Sequence, residues 1–146
     1  MTKPSAISNE ARIRRVYDPP ESDDGRRILV DRLWPRGLTR DRAAIDLWLK
    51  DVAPSPDLRR WFGHDPDKWE EFGRRYRAEL EGRPSEVAQL RDALRQGAVT
   101  LLYAARDTAH NHALVLGDVL REGDRASGKT QGRVAGRLTP RWKDHV

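Results

Sequence analysis

The sequence predicts a small single-domain α/β fold, a mainly parallel sheet flanked by helices in a three-layer-like arrangement. Three observations predict it. The 146 residues suffice for one domain with a hydrophobic core and fall short of two. The stretches at 28–30 (ILV) and 98–105 (AVTLLYAA) are continuously apolar, as strands buried on both faces are. Segments with helical periodicity lie between such runs, and that alternation is what a parallel sheet requires.

Each element has its own signal. A first strand is expected from Ile13, where IRRVYD alternates apolar with basic side chains. The loop DPPESDDG, with two prolines and a glycine, separates it from a second strand in RRILVDRLW. Thr39 is placed to cap a helix predicted over 39–52, with Asp41 favourable to the helix dipole and Pro54 and Pro56 beyond its end. Ser55 followed by Pro56 opens a short helix through Trp61. Asp65 and Pro66 repeat that signal for a helix that places Trp69, Phe72, Tyr76 and Leu80 on one face and closes at Gly82. Val87, Leu90 and Leu94 predict a helix over 85–95, with Gly97 just past its end. AVTLLYAA reads as the buried central strand, and Ala113, Leu116 and Leu120 mark one side of a last helix over 108–121. Residues 1–11 are polar and aperiodic, so the domain is expected over 12–121 between a frayed start and a flexible basic tail at 122–146.

Composition excludes several chemistries. With no cysteine there is no disulfide framework, thiolate metal site or cysteine nucleophile. No window approaches the roughly 18 consecutive apolar residues of a membrane span, and the first ten residues lack the apolar core of a secretory signal, so a cytoplasmic protein without a membrane partner is expected. The net charge of +5 is unevenly placed: residues 121–146 hold seven Lys or Arg against three Asp or Glu, which leaves the body near neutral. No glycine-rich phosphate loop with a lysine and no nucleophile-elbow serine occurs, so hydride-transfer cofactors and ordinary nucleotide hydrolysis lose support and no cofactor follows.

Chemistry in an open parallel sheet gathers at the carboxyl ends of its strands. Two such ends are densely polar: VDRLWPRG, with Asp31, Arg32, Trp34, Arg36 and Gly37, and ARDTAHNH, with Arg106, Asp107, His110, Asn111 and His112. If the two strands are neighbours, Arg32, Arg36 and Arg106 surround one crevice beside the start of the last helix, and arginine's planar fork suits phosphate or carboxylate. The expected ligand set is Arg32, Trp34, Arg36, Gly37, Arg106, Asn111 and His112. Asp31 and His110 are the candidates for proton transfer, with Asp31 or Asp107 to orient the imidazole or hold a water. Plain structural roles weigh against these: Asp107 as the cap of the last helix, Arg106 paired with an acid, Trp34 as packing, Gly37 as a turn residue and His64 as a turn histidine. His110 and His112, two apart, point to opposite sides of a helix, so no metal site is expected.

The combination RVYDPP, ILVDRLWPRGL, DLWLKDVAPS, LRRWFGHDPDKWEEF, VTLLYAARD and HNHALVL closely resembles the YeaO-like branch of domain of unknown function 488, a bacterial family, from about Ile13 to Leu120. The resemblance implies a compact α/β domain and brings no assigned activity, substrate or cofactor. Members outside this branch carry a cysteine and a histidine near ARDTAHNH; residues 103–112 here hold no cysteine, so thiol chemistry does not carry over. Two functions follow as expectations. One is an anionic small molecule, a nucleotide or phosphorylated metabolite, bound at the strand ends, with acid–base chemistry by Asp31 and His110 if the protein is an enzyme. The other is a nucleic-acid or protein-binding module acting through the basic tail and surface arginines.

Overall fold

The computed structural model describes residues 10–130, of which 123–130 by backbone alone. Four strands form one all-parallel sheet: β1 (Arg12–Arg15), β2 (Arg26–Leu29), β3 (Leu47–Trp48) and β4 (Val99–Tyr103), in the spatial order β1-β4-β2-β3. β4 is central and buried along its whole length, as its unbroken apolar run predicts. Five helices accompany the sheet: α1 (Arg40–Ala43), α2 (Pro56–Phe62), α3 (Trp69–Glu81), α4 (Pro84–Gln96) and α5 (His112–Thr130). This is the small α/β domain that the sequence predicts. No helix among the described residues is long and apolar enough to cross a membrane.

The strand period of two divides the core between the two faces of the sheet. Ile28, Val30, Val99, Leu101 and Tyr103 face the α2–α5 layer and join Phe62, Phe72, Tyr76, Leu90 and Leu116 in one cluster. Leu29, Leu102 and Val16 face the other way, where Ala43 and Ile45, with Trp34 and Trp48 at the margin, complete a smaller cluster. That second layer is a one-turn helix and its loops rather than a row of helices. Gly117 lets α5 lie close on β1, because a Cβ there would stand 2.8 Å from the Ile13 side chain.

The caps read from the sequence are in place. Thr39 accepts from the Arg42 amide, Ser55 from Leu58 and Asp65 from Asp67. The segment 39–52 departs from expectation: Ala44 turns left-handed after one turn, and the Asp46 and Leu49 amides then donate to the Arg27 and Leu29 carbonyls. Pairing with the open edge of β2 outweighs a marginal short helix, and β3 results. The last helix also shifts. It begins at His112 rather than 108, and it runs past 121 to Thr130, with Glu122 tied to Arg77 by two hydrogen bonds of 2.5 and 3.2 Å. Of the tail expected over 122–146, residues 122–130 continue α5, and 131–146, like residues 1–9, lie outside the described residues.

Candidate functional site

β2 and β4 are neighbours, in the register Ile28↔Leu101 and Leu29↔Leu102, so the two polar loops leave the same edge side by side. The junction is a carboxylate: Asp31 Oδ2 accepts from the Ala104 amide at 2.9 Å. The Asp31 carbonyl accepts from the Trp48 indole at 2.7 Å, which ties β3 to the same point. From α5, His112 Nε2 lies 2.9 Å from the Val30 carbonyl and 3.3 Å from Asp31 Oδ1. A carbonyl only accepts, so Nε2 carries the proton and directs it mainly to Val30. Asp31 Oδ1 is thereby left buried without a hydrogen bond. Burial pushes the Asp31 carboxyl above its ordinary range against the pull of His112 and the Ala104 amide, and burial holds the His112 imidazole below its ordinary value against the pull of Asp31.

The second acid–histidine pair is built differently. Asp107 Oδ1 accepts from the Ala109 and His110 amides at 2.8 and 3.0 Å, and its Oδ2 lies 3.0 Å from His110 Nδ1. The Ala109 amide, then the His110 ring, lower the Asp107 pKa. This folds 108–110 into a turn, and Asn111, not Asp107, caps α5, with Oδ1 accepting from the Leu114 amide at 3.2 Å. Of the two carboxylates expected to orient His110, Asp107 does so and Asp31 does not: Asp31 meets His112, and His110 meets Asp107 and the edge of Trp69.

A crevice of about 310 Å3 opens over these strand ends, with a smaller lobe of about 70 Å3 beside it. Asp31, Arg32, Trp34, Arg36 and His112 line the larger lobe; His110, Asn111 and His112 line the smaller. Arg32 donates to the Ala53 and Pro54 carbonyls, and Trp34 packs edge-on against Trp48 while its indole donates to the Leu38 carbonyl. Three expected residues stand apart. Gly37 provides a left-handed turn outside the lining, Asp107 serves the turn just described, and Arg106 is exposed with no hydrogen bond or ion pair among the described residues. The crevice instead gains Arg59 from α2 and His64 from the turn after it, both shared by the two lobes. Nothing in the spacing of Arg59 marks it, since it is an exposed arginine on a short helix; His64 sits at φ 57° directly after the left-handed Gly63, a turn the WFGHDP stretch does suggest. The Arg36 and Arg59 guanidinium groups make no hydrogen bond or ion pair among the described residues, and neither does the buried Nε of Arg32.

The lining thus sets three arginines against one carboxylate, and it offers no cluster of metal-ligating side chains; the one such group among the described residues, Glu21, Asp23 and Asp24, lies at the opposite end of the sheet and faces Arg12. No solved structure matches the chain. Uncharacterized protein YeaO of Escherichia coli K12 is 47% identical over 108 residues, 74% of this chain and 94% of that protein. Uncharacterized protein Rv3073c of Mycobacterium tuberculosis is 43% identical over 109 residues, 75% of this chain and 92% of that protein. The family model that matches, over residues 10–134, is described as the inactive DUF488-N3 subclade, and the chain belongs to that family, DUF488-N3i.

Proposed function

We propose that this chain is a cytoplasmic binding protein for a small anionic molecule, a nucleotide or phosphorylated metabolite, held in the crevice at the strand carboxyl ends. One observation carries the reading: Arg36 and Arg59, whose guanidinium groups make no hydrogen bond or ion pair among the described residues, line a cavity of about 310 Å3 whose single acid is Asp31. A guanidinium meets phosphate or carboxylate with two parallel donors, and Arg32 adds a third positive charge to the lining. Binding is favoured over turnover because the family whose model matches carries the description inactive.

The test is a calorimetric titration with inorganic phosphate and with nucleoside monophosphates. Arg59→Ala should weaken binding about tenfold or more, the usual loss of a charge-assisted contact, at an unchanged melting temperature. Absence of binding by every anion tried would sink the reading. The tail reading keeps one supporting observation, the charge of residues 121–146, and it predicts retention of nucleic acid that falls steeply with salt. Removal of residues 131–146 separates the two, because an anion in the crevice should bind equally well without them.

A further inference from the structure

Large apolar side chains are seldom left in water where a fold can cover them. Among the described residues two are exposed, Tyr17 at 40% and Leu33 at 65%. They come from different loops, after β1 and after β2, yet both line the larger lobe of the crevice. One exposed leucine needs no explanation, but two such residues converging beside unpaired arginines do. Tyr17 is also fixed in place: its hydroxyl donates to the Arg36 carbonyl at 2.9 Å, and the Arg15 guanidinium stands 5.1 Å from the ring centroid. Trp34 and Pro35 continue the same wall. Arg59 and His64 line both lobes, whereas Tyr17 and Leu33 line the larger alone.

We infer that the ligand is an organic anion with a flat apolar body, its head at Arg59 and its body on Tyr17 and Leu33, rather than a bare oxyanion. The inference rests on the anion-binding reading above and adds the part of the ligand that the arginines do not read. The volume agrees, since about 310 Å3 is at the lower end of small-molecule sites and exceeds what a lone phosphate fills. A flat ring on Tyr17 and Leu33 removes both side chains from water, and a fixed aromatic surface loses little freedom in binding it.

Phenyl phosphate and inorganic phosphate are the probes, titrated against the full chain and against Leu33→Ser and Arg59→Ala. Phenyl phosphate should bind about tenfold or more tightly than phosphate, a difference of about 1.4 kcal/mol or more. Leu33→Ser should remove most of that preference and leave phosphate affinity unchanged, and its exposure makes the substitution harmless to folding. Arg59→Ala should weaken both probes together. Equal affinity for the two probes, or a preference that survives Leu33→Ser, overturns the apolar subsite and leaves the anion reading standing. Silence toward both probes overturns the anion reading and the subsite with it.

Discussion

Asp24 and Asp31 stand at opposite ends of the sheet, both in the interior, and they are treated in opposite ways. Asp24, 1% exposed at the amino end, accepts from the Glu21 amide at 3.0 Å and from Arg27 at 2.6 Å, and its second oxygen faces Arg12 and Arg14 at 3.7 and 4.0 Å. Arg27, equally deep, is held in turn by the Ala43 and Ala44 carbonyls. Burial pushes Asp24 up, but the Glu21 amide and the Arg27 guanidinium outweigh it and leave the carboxyl below its ordinary value. Asp31 at the carboxyl end has one amide, a histidine directed elsewhere, and a raised pKa. Gly25 closes the amino end tightly, with φ 67° and room for no Cβ, which would lie 2.2 Å from the Ala98 carbonyl. Each carboxylate keeps one buried oxygen, Oδ1, without a hydrogen bond. The amino end is nevertheless finished as structure, because the Arg27 guanidinium pairs with Asp24 at 2.6 Å, whereas at the open carboxyl end no guanidinium among the described residues stands within ion-pair distance of Asp31, and the crevice begins there.

The largest effect should come from breaking the finished end. Asp24→Ala leaves Arg27 charged, buried and unpaired, a change that typically costs about 3–5 kcal/mol. Asp31→Asn keeps the shape and removes a charge that no guanidinium among the described residues pairs, so it should move stability by no more than about 1 kcal/mol. Urea midpoints of the two variants measure the contrast directly. Equal losses would mean that Asp31 is as structural as Asp24.

The pH dependence sharpens the same contrast. Asp24 has a folded pKa below its ordinary 3.8, so the unfolded chain binds more protons between the two values. Its contribution to stability is whole above 3.8 and disappears as the pH falls through the folded value. Asp31 lies above 3.8 when folded, so there the folded chain binds more protons and stability declines as the pH rises through that window. His112, held below 6.5, contributes a rise that ends at 6.5. Asp24→Asn should therefore flatten the acid limb below 3.8, whereas Asp31→Asn should steepen the rise just above it. Denaturant unfolding at a series of pH values from about 3 to 7 reads both slopes, and parallel profiles for the two variants would contradict them.

The difference between the two ends also bounds what the sequence tells. The strands β2 and β4, their adjacency and the caps at Thr39, Ser55 and Asp65 are legible because local pattern and local hydrogen bonds decide them. β3 is not, since two residues at Leu47 and Trp48 become a strand only through partners at Ile28 and Leu29. At the site, Asp31 and the histidine loop are legible as a pair of strand ends. Which histidine meets Asp31 depends on where α5 begins, and Asn111, by capping it, turns His112 toward Val30 and leaves His110 with Asp107. Arg59 is silent in sequence because α2 brings it to the crevice from 28 residues beyond Asp31 with no pattern of its own.

Arg106 supplies the smallest expected effect and the finest test of how the open end is arranged. It follows Ala105 directly off β4, within the loop that holds the Asp107 turn, yet it is exposed and lies outside the lining of both lobes. Arg106→Ala should change stability by no more than about 0.5 kcal/mol, the usual scale for a surface side chain without partners. It should also leave phosphate affinity within about twofold, against the loss of about tenfold expected for Arg59→Ala. The two residues carry the same charge, so a comparison of the two variants separates position from charge. If Arg106→Ala weakened phosphate as much as Arg59→Ala does, the anion would answer to the general positive field of this edge rather than to the crevice. The contrast between the closed and the open end would then be one of charge alone, without a site.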